Sequence, residues 1–251
     1  MTDAAARAAA ARVELDRLLE TDAPALRATL PLRFADTCQR FVALLLEANE
    51  QLNLTRVVAP AAVARLHLLD SLAALPIIDP GGPRRGLDLG SGGGLPGLVL
   101  ALARPDMAWT LVDSAQKKAD ALGGIVADVP LDNVEVVAER AELLGRDAAH
   151  RGCHDLVTVR ACASLPVLAE YALPLLRSGG MLLAWKGAIS DAELRAGAAA
   201  AVELGGGEPD VRPTGLAALG EHRFVIIVKM RGTPDRYPRR PGVPVKRPLG
   251  G

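Results

Sequence analysis

The sequence predicts an α/β protein built on a mostly parallel seven-stranded sheet with an antiparallel edge, preceded by an N-terminal helical extension. Three observations carry this. Residues 1–78 place apolar side chains at helical spacing; from residue 79 short apolar runs alternate with helical stretches; and a long apolar run near the end has no helix after it.

In the first segment, Phe34, Cys38, Phe41, Val42, Leu45, Leu46 and Leu52 recur at i, i+3, i+4 and i+7, one face of a helix over 34–52. Asn53-Leu-Thr-Arg interrupts the pattern, and a further helix after Pro60 carries Val63, Leu66, His67, Asp70 and Leu72. Turn chemistry in Ile78-Asp-Pro-Gly-Gly-Pro-Arg-Arg marks a boundary between a 1–78 extension and a 79–230 domain. Strands are expected at 86–90, 109–113, 133–138, 155–159 and 181–186, with helices over 96–104 and up to about 128 between them. That alternation means βαβ units with right-handed crossovers. Residues 210–214 and 223–229 read as an antiparallel pair closing the sheet. The tail, 231–251, is rich in Pro and Gly. From Lys229 onward it carries seven basic residues against the single acid Asp235, so it is expected to be poorly ordered.

Composition narrows the function. With 251 residues, half of them apolar and only 3% aromatic, the core must be aliphatic. Equal counts of 29 basic and 29 acidic residues exclude a globally basic nucleic-acid binder, though not a local basic patch. Cys38, Cys153 and Cys162 form no C-x-x-C pair, and the four histidines are scattered, so neither a disulfide framework nor a metal centre is expected. The Ala-rich N-terminus lacks the order of a signal peptide, and the longest apolar runs fall well short of the ~20 residues of a membrane span. The expectation is a soluble cytoplasmic protein.

The informative stretch is Leu87-Asp-Leu-Gly-Ser-Gly-Gly-Gly-Leu-Pro-Gly97, a strand running into glycines with Pro96 where a helix would begin. Glycines let backbone approach a ligand without a Cβ in the way. Gly92-x-Gly94-x-x-Gly97 matches the dinucleotide fingerprint, so NAD competes. Asp88 argues against it: a carboxylate at this turn repels a pyrophosphate but suits the ammonium and sulfonium of S-adenosylmethionine. Asp113, ending the next strand, is placed to accept from ribose hydroxyls, which either cofactor needs. A purely structural glycine turn is the remaining alternative. The cofactor reading therefore takes in Asp88, Gly90, Gly92 and Asp113, on a Rossmann-like S-adenosylmethionine-dependent methyltransferase fold.

At this point the chain resembles a known family, the glucose-inhibited division protein B group of bacterial small-subunit ribosomal RNA guanine-N7 methyltransferases. The likeness lies in Asn53-Leu-Thr, His67-Leu-Leu-Asp-Ser-Leu72, Asp88-Leu-Gly-Ser-Gly-Gly-Gly-Leu-Pro-Gly97 and Leu111-Val-Asp-Ser114. It continues through Arg160-Ala-Cys-Ala-Ser-Leu165, Trp185-Lys-Gly187 and Thr233-Pro-Asp-Arg-Tyr-Pro-Arg-Arg240, over roughly 34–248. The resemblance implies cofactor contacts at Gly90, Leu95, Ala141 with Glu142, and Arg160. It also implies ribosomal RNA, or an assembled ribosomal subunit, as partner. Two departures stand out: Ala115-Gln-Lys-Lys118 replaces the family's Lys-Arg, and the Ala-rich N-terminal stretch has no counterpart.

The chemistry agrees with the resemblance. Guanine N7 carries an in-plane lone pair and no proton, so it attacks a sulfonium methyl without a general base, leaving the enzyme chiefly a positioning task. Arg160-Ala-Cys-Ala stands where an amine methyltransferase would carry Asn/Asp-Pro-Pro-aromatic, and Cys162 lacks the partner motif of a C5-cytosine nucleophile. Arg160 and Lys186, at the ends of neighbouring strands, are the catalytic candidates. Either hydrogen-bonds guanine O6 or a phosphate, or both neutralise the cofactor carboxylate. His67 and Asp70, three apart, either face the substrate or form a hydrogen-bonded packing pair. Arg56, Arg65 and the tail either contact phosphates or are simply solvated. The rival functions are a small-molecule methyltransferase, a non-catalytic cofactor-binding module and an NAD-dependent oxidoreductase.

Overall fold

A computed structural model describes residues 2–78, 82, 84–160 and 163–250. The chain opens with α1 (Asp3–Thr21), whose first turn is capped by the Thr2 hydroxyl accepting the Ala5 N–H at 3.2 Å. Its buried Ala4, Ala8, Ala11, Leu15, Leu18 and Leu19 form one stripe, and the small alanines let α1 lie closely along α3. After the short α2 (Pro24–Thr29) comes α3 (Phe34–Leu52), which buries the predicted face apart from Leu52. It stops where Asn53 turns left-handed at φ 48°, a conformation Asn tolerates. Helical winding resumes over residues 60–72 (α4), whose middle, Val63–Leu69, is wound as a π-helix.

The sheet comprises β1 (Arg85–Leu89), β2 (Ala108–Asp113), β3 (Val134–Ala138), β4 (His154–Arg160), β5 (Leu176–Lys186), β6 (Asp210–Pro213) and β7 (Arg223–Val228). Their order is β3-β2-β1-β4-β5-β7-β6. The first five strands are mutually parallel. β7 runs antiparallel to both β5 and β6, so the reversed strand lies one in from the edge. Intervening helices are α5 (Gly97–Ala103), α6 (Gln116–Asp128), α7 (Ala141–Leu144), α8 (Leu165–Ala172) and α9 (Asp191–Glu203), with α10 (Val243–Lys246) in the tail. Pro96 precedes α5 instead of occupying its first position, which falls to Gly97.

Each sheet face carries its own apolar cluster. One unites Phe41, Leu69, Leu98, Trp109, Leu183 and Phe224, so the N-terminal extension packs directly on the sheet. The other joins Leu87, Val157, Leu168, Leu182, Val225 and Tyr237. Tyr237 belongs to the tail, and this corrects the expectation of a poorly ordered segment. The Arg146 and Arg151 guanidiniums donate to the carbonyls of Pro238 and Tyr237 at 2.9 Å each, and Arg239 forms a bidentate pair with buried Glu170. Counting charges misjudged the tail because its arginine is neutralised from within the fold. Half of the predicted boundary turn (Asp79, Pro80, Gly81 and Pro83) lies outside the described residues, as does Cys162. Cys38 is buried in the first cluster and Cys153 is half-buried.

Strand order reverses between β1 and β4. The crevice beyond their C-terminal ends is where doubly wound sheets bind ligands.

Candidate active site

The glycine turn leaves β1 with Gly90, Gly92 and Gly94 all at positive φ (72°, 53° and 92°), conformations closed to most other residues. The N–H groups of Gly90 and Ser91 donate to the Val112 carbonyl at 2.8 and 3.0 Å, joining the turn to β2. Asp113 accepts from the Gly92 N–H at 3.0 Å and the Ala115 N–H at 2.8 Å. Each of its oxygens therefore has one protein donor, with further lone pairs available to a ribose.

The structure corrects the role expected of Asp88. Its side chain is fully buried, accepting from the Thr158 hydroxyl at 2.7 Å and the Gly97 N–H at 3.2 Å. It pins the start of α5 and presents no surface to a ligand. Burial pushes its carboxyl up to about 6 despite these donors. An acid raised in the native state contributes stability that is complete below its unfolded value near 3.8 and lost as pH rises through 6. Asp88→Asn does not titrate, so wild-type stability relative to this variant is expected to fall by ~2–3 kcal/mol from pH 3.5 to 7.5. Urea denaturation of both at the two pH values measures this; an unchanged difference would refute it.

Beyond the turn lies a small cavity of about 160 Å³. Leu89, Val112 and Val159 provide apolar walls, Gly90 and Ala141 close backbone, and Ser114, Glu139, Glu142 and Tyr171 polar groups. Glu142 is buried; burial raises its carboxyl, but the Gly242 N–H at 2.8 Å and Arg140 at 3.3 Å outweigh this and hold it lowered. The Tyr171 hydroxyl donates to the same oxygen at 3.4 Å, and burial beside Glu142 pushes its phenol up to about 12. An apolar slot edged by two carboxylates, whose one guanidinium already pairs with Glu142, suits an adenosine joined to a cationic chain and repels a pyrophosphate.

A second cavity, of about 380 Å³, opens at the ends of β4 and β5 and is lined by Leu66, His67, Asp70, Arg160, Lys186 and His222 among others. The Arg160 guanidinium donates to Asp70 Oδ2 and to the Leu66 carbonyl, both at 3.1 Å. The other Asp70 oxygen lies 2.9 Å from His222 Nδ1, and Trp185 Nε1 donates to the Asp70 carbonyl at 2.9 Å. Lys186 Nζ donates to Glu193 Oε1 at 2.7 Å and to the Ala163 carbonyl at 2.9 Å. His67 Nε2 meets the Thr55 hydroxyl at 2.8 Å, and burial, with Arg160 nearby, lowers the imidazole to about 4 and keeps it neutral.

The predicted residues therefore divide between two cavities. Gly90, Ala141 and Glu142 line the slot, whereas Arg160 and Lys186 line the second cavity. Gly92 and Asp113 brace the turn between strands, and the Leu95 side chain joins the apolar cluster beneath it. His67 and Asp70 do not pair with each other. The wide π turn rotates positions three apart away from a shared face, sending His67 to Thr55 and Asp70 to Arg160. Sequence reasoning missed Tyr171, Ser114, Glu193 and His222. Ser114 follows the acid ending β2 and was within reach of the motif. The others depend on contacts between distant segments.

Comparison with known proteins follows the same lines. The GidB family, rRNA small subunit methyltransferase G, matches residues 35–212. A relative from Deinococcus deserti named ribosomal RNA small subunit methyltransferase G is 46% identical over 224 residues, covering 88% of this chain and 92% of that protein. One of the same name from Moorella thermoacetica is 38% identical and covers 93% and 98%. Among solved structures, cofactor-bound Rv0187 from MTB superposes with a TM-score of 0.56 at 22% identity, covering 76% of this chain and 90% of that one. MtNAS in complex with S-adenosylmethionine gives 0.52 at 14% identity, covering 75% and 72%. These two speak to the fold alone. The sequence matches decide the family: the chain belongs to the GidB family of small-subunit ribosomal RNA methyltransferases.

Proposed function

We propose that the chain transfers a methyl group from S-adenosylmethionine to N7 of a guanine in small-subunit ribosomal RNA, in the cytoplasm. The observation that carries this is adjacency. Val159 lines the acid-edged slot and the next residue, Arg160, lines the second cavity, so a cofactor and a base would meet across the end of β4.

Bound S-adenosylmethionine supplies an electrophilic methyl on a sulfonium. The chain's residues hold the geometry. The carboxylates of Glu139, Glu142 and Asp113 favour a cation and its hydroxyls, and the glycine turn admits close approach. Across β4, Arg160 and Lys186 offer cationic donors to guanine O6 or a neighbouring phosphate, leaving N7 clear for in-line attack. Exposed Arg56 and Arg65, on the loop and helix bordering this cavity, are proposed to meet RNA phosphates, making binding salt-sensitive.

The test is mass spectrometry of small-subunit RNA from cells with and without the gene, joined to methyl transfer by the purified enzyme onto isolated subunits. One 7-methylguanosine lost with the gene and restored in vitro is expected. Transfer to a metabolite panel with no RNA change would replace this reading with a small-molecule methyltransferase.

A further inference from the structure

The tail reaches the slot from behind. Arg239 donates from Nε and its terminal nitrogen to both oxygens of Glu170, at 2.6–3.1 Å, and its backbone N–H adds a bond of 2.8 Å. Glu170 is fully buried, and this pairing neutralises it where an unpaired carboxylate would be costly. Its neighbour on α8, Tyr171, lines the slot and hydrogen-bonds Glu142. Three residues past Arg239, the Gly242 N–H donates to that same Glu142 oxygen at 2.8 Å. The tail therefore holds both polar walls of the slot, one through Glu170 and one directly.

Its path is fastened along the way. Arg146 and Arg151, just after α7, bind tail carbonyls, and Tyr237 Oη donates to Glu203. These anchors hold the strap against the short α7 and the buried α8.

We propose that Arg239 and Gly242 are positioning residues for the cofactor, the tail acting as a strap that sets the spacing of Glu142 and Tyr171. This rests on the methyltransferase reading above. The strap braces the Glu142–Tyr171 pair from behind, so cofactor affinity depends on tail docking and tail docking on cofactor. Linkage makes the coupling reciprocal.

The test uses the full chain and three variants: Arg239→Gln, Arg239→Lys, and the double variant Glu170→Gln with Arg239→Gln, which leaves no unpaired buried charge. Affinities for S-adenosylmethionine and S-adenosylhomocysteine come from calorimetry, KM and kcat from methyl transfer to small subunits, and stability from thermal unfolding. Hydrogen exchange across residues 239–246 is followed with and without S-adenosylmethionine. Arg239→Gln and the double variant are expected to raise Kd and cofactor KM about tenfold or more, with kcat at saturating cofactor within about twofold of wild type. Arg239→Lys should recover part of the loss, and cofactor should slow exchange in the wild-type tail. A lowered Tm with unchanged Kd in both glutamine variants would make the tail a structural latch only and overturn the inference. A wild-type chain that ignores S-adenosylmethionine would instead sink the methyltransferase reading and the strap with it, an outcome distinct from normal wild-type binding with indifferent variants.

Discussion

Gly97→Ala is expected to remove cofactor binding and to destabilise the fold by ~2–3 kcal/mol or more, the upper range for overpacking a filled core. A Cβ at this position would lie 2.4 Å from Leu111 Cδ2, 2.6 Å from Asp88 Cβ and 2.8 Å from Asp88 Oδ2. None of these neighbours has room to retreat. Leu111 is in the centre of β2, and Asp88 is fully buried and held by Thr158. Relief requires α5 to move outward, which breaks the Gly97 N–H bond to Asp88 and shifts the glycine turn with it. Urea denaturation and cofactor calorimetry measure the two effects. An alanine variant with a wild-type midpoint and wild-type affinity would show that α5 accommodates a methyl group, contrary to the packing described.

Arg160→Ala is expected to lower methyl transfer at saturating cofactor about 10²–10³-fold, the usual cost of deleting one well-placed donor at a reacting group. Its effect on cofactor Kd should be smaller, because Arg160 lines the second cavity and not the slot. Arg160→Lys should recover only part of the loss: one guanidinium nitrogen makes the bonds to both Asp70 and the Leu66 carbonyl, which an ammonium could copy, but the lysine lacks the other planar N–H donors proposed for the substrate. Loss of the guanidinium also deprives buried Asp70 of its ion pair with Arg160, leaving the contact with His222 Nδ1, so assays belong well below the variant's Tm. An unchanged transfer rate, with a raised Kd, would move Arg160 from the substrate to the cofactor carboxylate.

Local pattern alone was enough for much of this protein. The face of α3, the strands that open and close the sheet, and the turn at Gly90–Gly94 follow from side-chain periodicity and glycine spacing, which act over a few residues. The family resemblance, carried over position by position, likewise implied Gly90, Ala141 and Glu142, which line the slot. Asp88 shows where such reading ends: an acid before three glycines looks ligand-facing until the start of α5 folds back and claims its carboxylate.

Long-range packing decided the rest. Tyr171 became a wall of the slot only when α8 was laid beside α7, and Arg239 in the tail acquired its meaning from Glu170, 69 positions away. The second cavity needs α4, β4 and the start of β7 together, joining Asp70 to Arg160 and His222. The physical reason is the reach of the forces. Backbone preference and apolar periodicity are properties of neighbouring residues and can be read along the chain. The partner of a buried charge is whichever opposite group the completed fold brings within hydrogen-bonding distance, and no local pattern specifies it.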